Sequence, residues 1–431
     1  MKRRLKIGIF IILLLALAGY VYHPAVKGFF DRTLLSTKAA ARQYLPTSSM
    51  DAMYIRQIIT ADSTSSRTIM WQSSYSQADA LVEYREQGSK DIKSFLASDE
   101  VFTDDKTTTY IHTAFLVDLK PQTKYEYRVG SGDKRSEWQS FSTAGAGSFK
   151  ALIFPDSQSN DYGVWRDTAQ SAWKKNPDMS FFVNMGDLVD NGEDHTQWSA
   201  WFDALSGMID TIPVAPLQGN HETYDLNWKV RLPVAYEHLF SLPSNGNEKR
   251  QNQYYSFDYG DVHFIVLNTQ MEEIEPLEPG LLDAQIAWFK QDIAKSAKKW
   301  KVVMLHKDVL TYAIKNRTDR KAGFSDIGKD FMPLFDQYGV DLVLSAHLHT
   351  YRRRVNLYDF KADSKGPLYI LTGVAGNVRY PGLWEDNPLD AVVAPQPETD
   401  NYLTLEASAD SLKLEAYLPT GEQIDHVEIK K

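Results

Sequence analysis

The sequence contains no cysteine among its 431 residues. Disulfides, thiolate metal sites and catalytic thiols are therefore excluded, and any metal ion has to be bound by His, Asp, Glu, Asn or Gln side chains. An excess of positive charge is also absent, since the formal net charge is −9 at pH 7. Proteins that bind nucleic acid normally present a basic surface, so this composition argues against a nucleic-acid partner.

Long apolar runs are scarce as well, and the clearest one lies at the N-terminus. The first residues are MKRRLKIGIFIILLLALAGYVY, a basic start followed by an apolar run over residues 7–22. The run is short for a membrane span, which needs about 20 apolar residues, and its Ala-Leu-Ala at 16–18 matches a signal-peptide cleavage pattern. We expect export in either case. The apolar residues continue past this pattern, which favours an uncleaved membrane anchor over a secreted form, with the Lys/Arg cluster in the cytoplasm.

The remaining chain divides into three segments. Residues 23–50 are expected to form a stalk after the signal or anchor segment 1–22. Residues 51–146 contain short alternating runs such as RTIMWQSS and ALVEYRE between polar turns, which predicts an antiparallel β-sandwich. Residues 147–431 alternate apolar runs with helical periods, which predicts a largely parallel, mixed sheet buried on both faces. We expect helices at 164–175, 281–300 and 326–339, a hairpin at 254–268 and a loop at 382–400.

Five apolar runs of the last segment end in residues that bind metals or transfer protons. They are followed by Asp156-Ser157-Gln158, Gly186-Asp187-Leu188-Val189-Asp190, Gly219-Asn220-His221-Glu222, His306, and His347-Leu348-His349. Each group alone has an ordinary explanation as a turn or a helix cap. Functional groups of open α/β sheets, however, collect beyond the carboxyl ends of the strands. An extended backbone would also point His347 and His349 to the same side. The series therefore predicts one shared site.

This series resembles the signature of the calcineurin-like metallophosphoesterases: D-x-Q, G-D-x-x-D, G-N-H-E, a lone H and A-H-x-H. More narrowly it resembles the purple acid phosphatase branch, because LKPQTKYEYRV at 119–129 is similar to the Pro-x-Thr-x-Tyr corner of fibronectin type III-like domains. The resemblance runs from about Ala52 to the C-terminus. It implies an α/β fold with mixed sheets, a four-layer metallophosphoesterase sandwich over 147–431, preceded by an all-β fibronectin type III-like domain over 51–146.

The resemblance also implies a centre with two metal ions. The implied ligands are Asp156 and His349 on the first ion, Asp187 on both, and Asn220, His306 and His347 on the second. Carboxylate, amide and imidazole ligands suit Mn, Fe or Zn ions. The implied reaction is hydrolysis of a small phosphate mono- or diester, by in-line attack of a metal-bridging hydroxide while His221 assists the leaving group. The motifs specify the fold and the centre, and leave the natural substrate and the oligomeric state open.

Three positions depart from the family pattern. Gln158 stands where many members carry a metal-binding His, so we expect it to bind the metal weakly or through water. Asp190 stands where purple acid phosphatases carry the Tyr that binds iron, so we expect no tyrosinate absorption band. We assign Asp190 instead to orienting His221 by a hydrogen bond. Ala346 replaces the usual Gly before H-x-H, a change that we expect to be tolerated.

An alternative function belongs to a different class. In it the protein is a cell-surface binding protein, its sandwich domain recruits a wall or matrix polymer, and the metallophosphoesterase site is vestigial. The weak ligand Gln158 supports this alternative, and the six other intact ligands oppose it. Asn191 and His195 fit either a substrate contact or a polar loop. The charged segment 315–317 fits either a phosphoryl contact or a solvated loop.

Overall fold

The computed structural model describes Thr33, Thr37, residues 52–77 and residues 79–431. The predicted signal or anchor segment 1–22 and, apart from the two threonines, the predicted stalk 23–50 lie outside these described residues. Among the helices that the structure does describe, none combines the length and the apolar character needed to cross a membrane.

The N-terminal part of the described chain is all β. In the run KYEYRVGS the alternate residues Tyr125, Tyr127 and Val129 are buried, as a strand with one face toward a core requires. The hydroxyl of Tyr125 accepts a hydrogen bond from the main-chain N–H of Lys120 at 2.8 Å, which is the tyrosine corner typical of such sandwiches. The strands are β1 (Met53–Ile58), β2 (Arg67–Ser73), β3 (Leu81–Glu86), β4 (Lys93–Leu96), β5 (Ser98–Asp104), β6 (Thr107–Leu116), β7 (Lys124–Ser131), β8 (Lys134–Arg135) and β9 (Gln139–Ser142).

The C-terminal part combines strands with helices. Its strands are β10 (Phe149–Phe154), β11 (Phe181–Asn184), β12 (Val214–Pro216), β13 (Tyr255–Tyr259), β14 (Val262–Leu267), β15 (Trp300–Leu305), β16 (Leu310–Thr311), β17 (Gly323–Phe324), β18 (Leu342–Ser345), β19 (Tyr351–Arg354), β20 (Leu357–Tyr358), β21 (Lys361–Ala362), β22 (Leu368–Thr372), β23 (Asp390–Val393), β24 (Tyr402–Ala407), β25 (Ser411–Tyr417) and β26 (Gln423–Lys430). Its α-helices are α1 (Gly163–Lys175), α2 (His195–Ala204), α3 (Val234–Leu239), α4 (Met271–Ile274), α5 (Leu281–Lys295) and α6 (Asp326–Tyr338), and short 3-10 helices cover His221–Thr223 and Glu248–Arg250.

Two large sheets pack face to face between helices. One has the strand order β26-β25-β24-β10-β11-β12-β1-β2-β6-β5 and the other β13-β14-β15-β18-β22-β19-β23. Phe264 of β14 packs between the sheets, whereas the next residue, Ile265, packs with Phe289 of α5 on the outer face. On the opposite outer face, Trp165 of α1 lies edge-on to Phe154 of β10 at 5.1 Å. This alternation produces four layers and confirms the predicted α/β fold with mixed sheets.

The sheet of the N-terminal part continues directly into the C-terminal part, which the sequence patterns did not predict. Strand β1 pairs in parallel with β12 through Ile58 and Val214. Beside this junction the buried guanidinium of Arg56 donates from Nε to the carbonyl of Leu239 at 3.0 Å and lies 4.8 Å from the ring of Phe202. The β-sandwich is therefore built onto the edge of the larger fold by main-chain pairing as well as by side-chain packing.

Two expected element boundaries are wrong. The helix expected at 281–300 ends at Lys295, because Ser296 leaves the helix with an extended backbone and Trp300 starts the buried strand β15. The indole N–H of Trp300 donates to the carbonyl of Ser408 at 2.9 Å, which anchors the residue to a neighbouring strand connection. The segment 382–400, expected to be a loop, contains the edge strand β23, which pairs with β19.

Candidate metal centre

The predicted site residues come together at the carboxyl ends of five strands. Asp156 follows β10, Asp187 follows β11, Asn220 follows β12, His306 follows β15, and His347 and His349 follow β18. The first three strands belong to one large sheet and the last two to the other. The site therefore lies across the edge where the two facing sheets present the ends of their parallel strands, the position at which open α/β folds place their ligands.

One cluster of possible ligand atoms, at the implied second ion position, consists of Asp187, His306 and His347. All three atoms lie within 4.8 Å of one another. Asp187 Oδ2 lies 3.1 Å from His306 Nε2, and Asn220 Oδ1 lies 3.3 Å from the same nitrogen. The rings of His306 and His347 stand edge-on at 5.2 Å. Asn220, predicted as a ligand, thus lies in contact with this cluster.

The other cluster, at the implied first ion position, consists of Asp156, Asp187 and His349, whose ligand atoms also lie within 4.8 Å of one another. Asp156 Oδ2 lies 3.1 Å from His349 Nε2. All three residues are buried. Asp187 belongs to both clusters, so one carboxylate lies between two potential cation positions.

The hydrogen bonds of His306 and His349 determine which ring nitrogen of each residue faces its cluster. Nδ1 of His306 lies 2.9 Å from the carbonyl of Met185, and Nδ1 of His349 lies 2.5 Å from the carbonyl of Val378. A carbonyl only accepts hydrogen bonds, so each Nδ1 carries the hydrogen. In the neutral ring, Nε2 then directs a lone pair at a carboxylate that is also an acceptor. Facing acceptors in a buried site call for a cation between them.

Other polar atoms of the centre support the same requirement. Among the described residues, Oδ2 of Asp156, Oε1 of Gln158 and Nδ1 of His347 are buried and have no hydrogen-bond partner. Buried polar atoms without partners are rare unless an ion or water binds them. The donor set of carboxylate, amide oxygen and imidazole fits borderline or hard divalent ions. The residues present therefore fit a centre of two metal ions.

Without a cation, the charges of the centre shift its own proton equilibria. Burial lowers the pKa of His306, but the adjacent Asp187 carboxylate outweighs burial and raises it to about 9. The pKa of Asp187 is held well below its usual range: burial opposes this shift, and the charges of His306 and His221 outweigh burial. Burial, together with the charge of His306, holds the pKa of His347 well below its usual range. Protons and a metal ion thus compete for the same nitrogen of His306.

The backbone conformation of the histidine pair differs from the predicted one. Strand β18 ends at Ser345, and both His347 (φ 74°) and His349 (φ 52°) adopt the left-handed region, as does Asp187 (φ 47°). The two imidazoles are therefore aimed by a turn and not by an extended strand. The turn is anchored where the N–H of His347 donates to Asp156 Oδ1 at 3.0 Å.

Close backbone approach constrains the loops that carry Asp187. A Cβ atom on Gly219 would lie 2.1 Å from Asp187 Oδ1, and one on Gly186 would lie 2.5 Å from His306 Nδ1. Both distances are far below van der Waals contact. Only glycine fits at these two positions next to the shared carboxylate and its histidine partner.

His221 lies beside the clusters and not within them. Its N–H donates to Asp187 Oδ1 at 2.9 Å, and its ring Nδ1 lies 2.7 Å from the main-chain carbonyl of Asp190. The Asp190 carboxylate is more distant, at 3.7 Å. Burial lowers the pKa of His221, and the Asp187 and Asp190 charges more than offset it, so the pKa is raised. Asp190 therefore contacts His221 chiefly through its main chain, in contrast to the side-chain hydrogen bond that the resemblance implied.

Gln158 is brought to the centre, as predicted. Its Nε2 lies 3.3 Å from His349 Nε2, and its main-chain N–H donates to the carbonyl of Asp187 at 2.9 Å. The side chain is buried. The atom next to His349 is thus the amide nitrogen, while the buried amide oxygen has no hydrogen-bond partner among the described residues. Ala346, the other departure at a strand end, is fully buried and its methyl group is accommodated in the core.

The remaining polar candidates lie at different places. Asn191 donates from Nδ2 to the carbonyl of Asp225 at 2.6 Å and so holds a loop beside His221. His195 begins α2 and lines a small cavity shared with Gln72 of the N-terminal sandwich. In the segment 315–317, Arg317 is exposed and ion-paired with Asp319.

Sequence reasoning missed the role of Glu222. Its buried carboxylate accepts hydrogen bonds from the main-chain N–H groups of Gly219 at 2.7 Å, Leu188 at 2.8 Å, Asp187 at 3.1 Å and Val189 at 3.3 Å. One side chain thus ties the loop after β11 to the loop after β12. The motif contains this acid, but its role could not be inferred locally, because the N–H of Leu188 lies 34 residues earlier in the chain.

Sequence reasoning also missed the aromatic residues around the centre. The ring of Tyr380 lies 4.9 Å from that of His349, and the rings of Tyr224 and Trp228 each lie 5.9 Å from that of His221. These residues come from loops whose positions relative to the strand ends are set only by the three-dimensional fold. No local pattern marks them.

Comparison with known proteins matches two parts of the chain to known domain families. Residues 149–351 match the family described as calcineurin-like phosphoesterase, and residues 53–143 match the purple acid phosphatase N-terminal domain. Purple acid phosphatase 23 of Arabidopsis thaliana is 26% identical over 302 residues, which cover 63% of this chain and 64% of that protein. Acid phosphatase type 7 of Danio rerio is 26% identical over 355 residues, covering 72% of this chain and 75% of that protein.

Solved structures show the same fold. Purple acid phosphatase PPD1 from yellow lupin (Lupinus luteus) seeds superposes with a TM-score of 0.73 at 19% identity, covering 88% of this chain and 74% of that one. PhoD superposes with a TM-score of 0.61 at 13% identity, covering 90% and 94%. The chain spans 64% and 54% of the lengths of purple acid phosphatases 23 and 15 of Arabidopsis thaliana. The chain therefore contains a calcineurin-like phosphoesterase domain over residues 149–351 and, before it, a purple acid phosphatase N-terminal domain over residues 53–143.

Proposed function

We propose that the protein hydrolyses phosphate mono- or diesters at a centre of two metal ions of the Mn, Fe or Zn type. The observation that carries the proposal is the position of Asp187, one buried carboxylate shared by two clusters of ligand atoms. The first ion would be held by Asp156, His349, Asp187 and the weaker Gln158, and the second by Asp187, Asn220, His306 and His347. Two ions at such a centre supply Lewis acidity to the phosphoryl oxygens and lower the pKa of the water that attacks phosphorus.

The protein's own residues supply the proton for the departing oxygen. Since the carbonyl of Asp190 accepts from Nδ1 of His221 at 2.7 Å, Nε2 is the nitrogen left to hold or donate a proton on the substrate side. Asp187 fixes the main chain of His221 at 2.9 Å, so the proton donor and the shared carboxylate keep a constant spacing. We assign His221 to protonating the leaving oxygen, and Asp190 to orienting the ring of His221.

The proposal is tested by hydrolysis of p-nitrophenyl phosphate and bis-p-nitrophenyl phosphate with added Mn²⁺, Fe²⁺ or Zn²⁺, beside metal analysis of the same samples. His221→Ala should keep its metal and lose roughly 10²–10⁴-fold in rate. Asp187→Asn should lose both metal and activity. Arg317→Ala, at an exposed ion pair, is the matched control and should behave as wild type.

Two results would reject the proposal. One is the absence of turnover of either ester with every metal, and the other is wild-type rates in both site variants. Less than one tightly held ion per chain in the wild type would instead support the alternative of a binding protein with a vestigial site.

We also propose that the protein acts outside the cytoplasm, anchored to the membrane or secreted. The support is the basic start and the apolar run over residues 7–22. Cell fractionation with N-terminal sequencing of the recovered protein tests this. An anchored protein stays in the membrane fraction with its first residues intact, a secreted one begins after the Ala-Leu-Ala at 16–18, and full-length protein in the cytoplasmic fraction would refute export.

A further inference from the structure

An exposed apolar loop borders His221. The loop 224–230 exposes Leu226 (46%), Trp228 (52%) and Val230 (43%). Of these three side chains, Trp228 is the one whose ring contacts His221: the two rings stand edge-on at 5.9 Å. The ring of Tyr224 lies 5.9 Å from both the Trp228 and the His221 rings. The rings of Tyr224, Trp228 and His221 therefore form an aromatic corner, and His221 is the proposed proton donor.

The loop is held in one conformation by its own polar groups. Asp225 Oδ1 accepts from the main-chain N–H groups of Asn227 and Lys229, each at 2.8 Å, and its carbonyl accepts from the N–H of Trp228 at 2.9 Å. The side chain of Asn191 donates to the same carbonyl. The tryptophan is thus presented by a braced turn, so its position beside His221 is preorganised.

The presentation of Trp228 disfavours folding in two ways. Its φ of 61° lies in the left-handed region, which is unfavourable for a residue with a bulky side chain. Half of its large apolar side chain also faces solvent. A bulky aromatic residue kept exposed on strained backbone next to a reactive group is typical of a ligand contact.

In-line displacement determines which part of a substrate this corner meets. The leaving group departs on the side opposite the attacking water, and the residue that protonates it marks that side. The corner lies beside His221, so the organic part of the ester passes along it. The guanidinium of Arg231, which follows the loop, is already paired with Asp104 at 3.0 Å and Glu193 at 3.6 Å. The side of the site next to His221 therefore presents the aromatic rings to a substrate, because the charge of Arg231 is already paired.

We propose that Trp228, supported by Tyr224, is a stacking platform that selects phosphate esters with a planar aromatic leaving group. The proposal rests on the proposed function and names its substrate class. An aryl group and the base of a nucleoside share the required planar π-face, and stacking of such a ring on an aromatic side chain strengthens binding roughly tenfold. Esters of small aliphatic alcohols lack that contact and gain nothing from Trp228.

The experiment compares wild type with Trp228→Ala, Trp228→Phe and Leu226→Ala. The substrates are 1-naphthyl phosphate, adenosine 5′-phosphate and glycerol 2-phosphate, and inorganic phosphate serves as a competitive inhibitor. Trp228→Ala should raise KM about tenfold or more for the esters with a planar ring, leave glycerol 2-phosphate within about twofold, and leave phosphate inhibition and metal content unchanged. Trp228→Phe should restore most of the loss, and Leu226→Ala, on the same loop, should match wild type.

Other outcomes overturn the platform. An equal fall in kcat for all three esters would make Trp228 a positioning residue for His221, and unchanged KM values would make it a bystander. A loss for 1-naphthyl phosphate alone, or for adenosine 5′-phosphate alone, assigns the platform to aryl or to nucleoside esters. If wild type cleaves no ester, the proposed function fails. Calorimetric binding of phenylphosphonate to wild type and Trp228→Ala then still tests the platform, and equal affinities would reject it.

Discussion

Asp187 Oδ2 lies 3.1 Å from Nε2 of His306, the ring nitrogen that a metal ion would bind because Nδ1 donates to the carbonyl of Met185. The same carboxylate belongs to the cluster with Asp156 and His349. One side chain thus joins two groups of ligands, each of which draws residues from both sheets. Metal binding should respond very differently to the loss of this carboxylate and to the loss of a carboxylate that serves one cluster.

Asp156→Asn and Asp187→Asn form a matched pair, since both are buried carboxylates at a strand end. We expect Asp156→Asn to weaken one ion and retain the other, because the cluster of Asp187, His306 and His347 stays complete. Asp187→Asn should weaken both. Mass spectrometry under native conditions, with metal titration, measures the stoichiometry. Loss of a single ion in both variants would contradict the shared position of Asp187.

A second prediction concerns the orientation of His221. Its Nδ1 lies 2.7 Å from the Asp190 main-chain oxygen and 3.7 Å from the Asp190 carboxylate. Asp190→Asn keeps the closer acceptor, so we expect less than about a tenfold loss in kcat, against roughly 10²–10⁴-fold for His221→Ala. Steady-state kinetics with p-nitrophenyl phosphate compares the two. A loss in Asp190→Asn as large as that in His221→Ala would mean that the carboxylate itself is required.

A third prediction concerns colour. By the resemblance of its motif, Asp190 stands where purple acid phosphatases carry the Tyr that binds iron. The neighbouring Tyr162 hydroxyl is within hydrogen-bond distance of the Asp190 N–H, at 3.2 Å, and of Gln197 Oε1, at 3.1 Å. Burial, followed by the Asp190 charge, raises the pKa of Tyr162 well above its usual range, so it stays a neutral phenol. We expect the iron-loaded protein to show no intense visible band. If absorption spectroscopy finds one, Tyr380→Phe, beside His349, shows whether that residue supplies a tyrosinate.

The fold and the residues that gather at the centre could be predicted from the sequence, because strand ends show in local patterns and the motifs at those ends resemble a known family. Buried strands give continuous apolar runs, and the residue that follows each run lies at the strand end. Asp156 and His306 could therefore be placed before any coordinates were known. The amide of Gln158 was also expected near the first ion position, and the structure brings it to His349.

The features that were missed depend on contacts and on turn geometry that no local sequence pattern records. Glu222 binds the N–H groups of a loop about 35 residues earlier, and Trp228 reaches His221 through a braced turn. The left-handed conformation of His347 and His349 belongs to the turn after β18; histidine tolerates this region better than most residues, but nothing in the local sequence marks it. The pairing of β1 with β12 joins strands more than 150 positions apart in sequence, and no periodicity records such a partner.

The last prediction concerns pH and stability away from the metal centre. Both ring nitrogens of His263 face carboxylates: Nδ1 lies 2.7 Å from Asp258 Oδ1, and Nε2 lies 3.0 Å from Asp292 Oδ2. A ring with acceptors on both sides has to carry both hydrogens. Burial lowers the pKa of His263, but these two hydrogen bonds outweigh burial and raise it to about 9.

The folded pKa of His263 is thus above its unfolded value of about 6.5. The stabilisation is then complete below pH 6.5 and is lost as the pH rises through about 9. We expect His263→Gln to lower the free energy of unfolding by about 1–3 kcal/mol at pH 6, and by progressively less toward pH 9.5. Urea unfolding at several pH values measures the difference, with the exposed His426→Gln as control. A difference that is constant or that grows with pH would show that the doubly protonated ring is not what stabilises this contact.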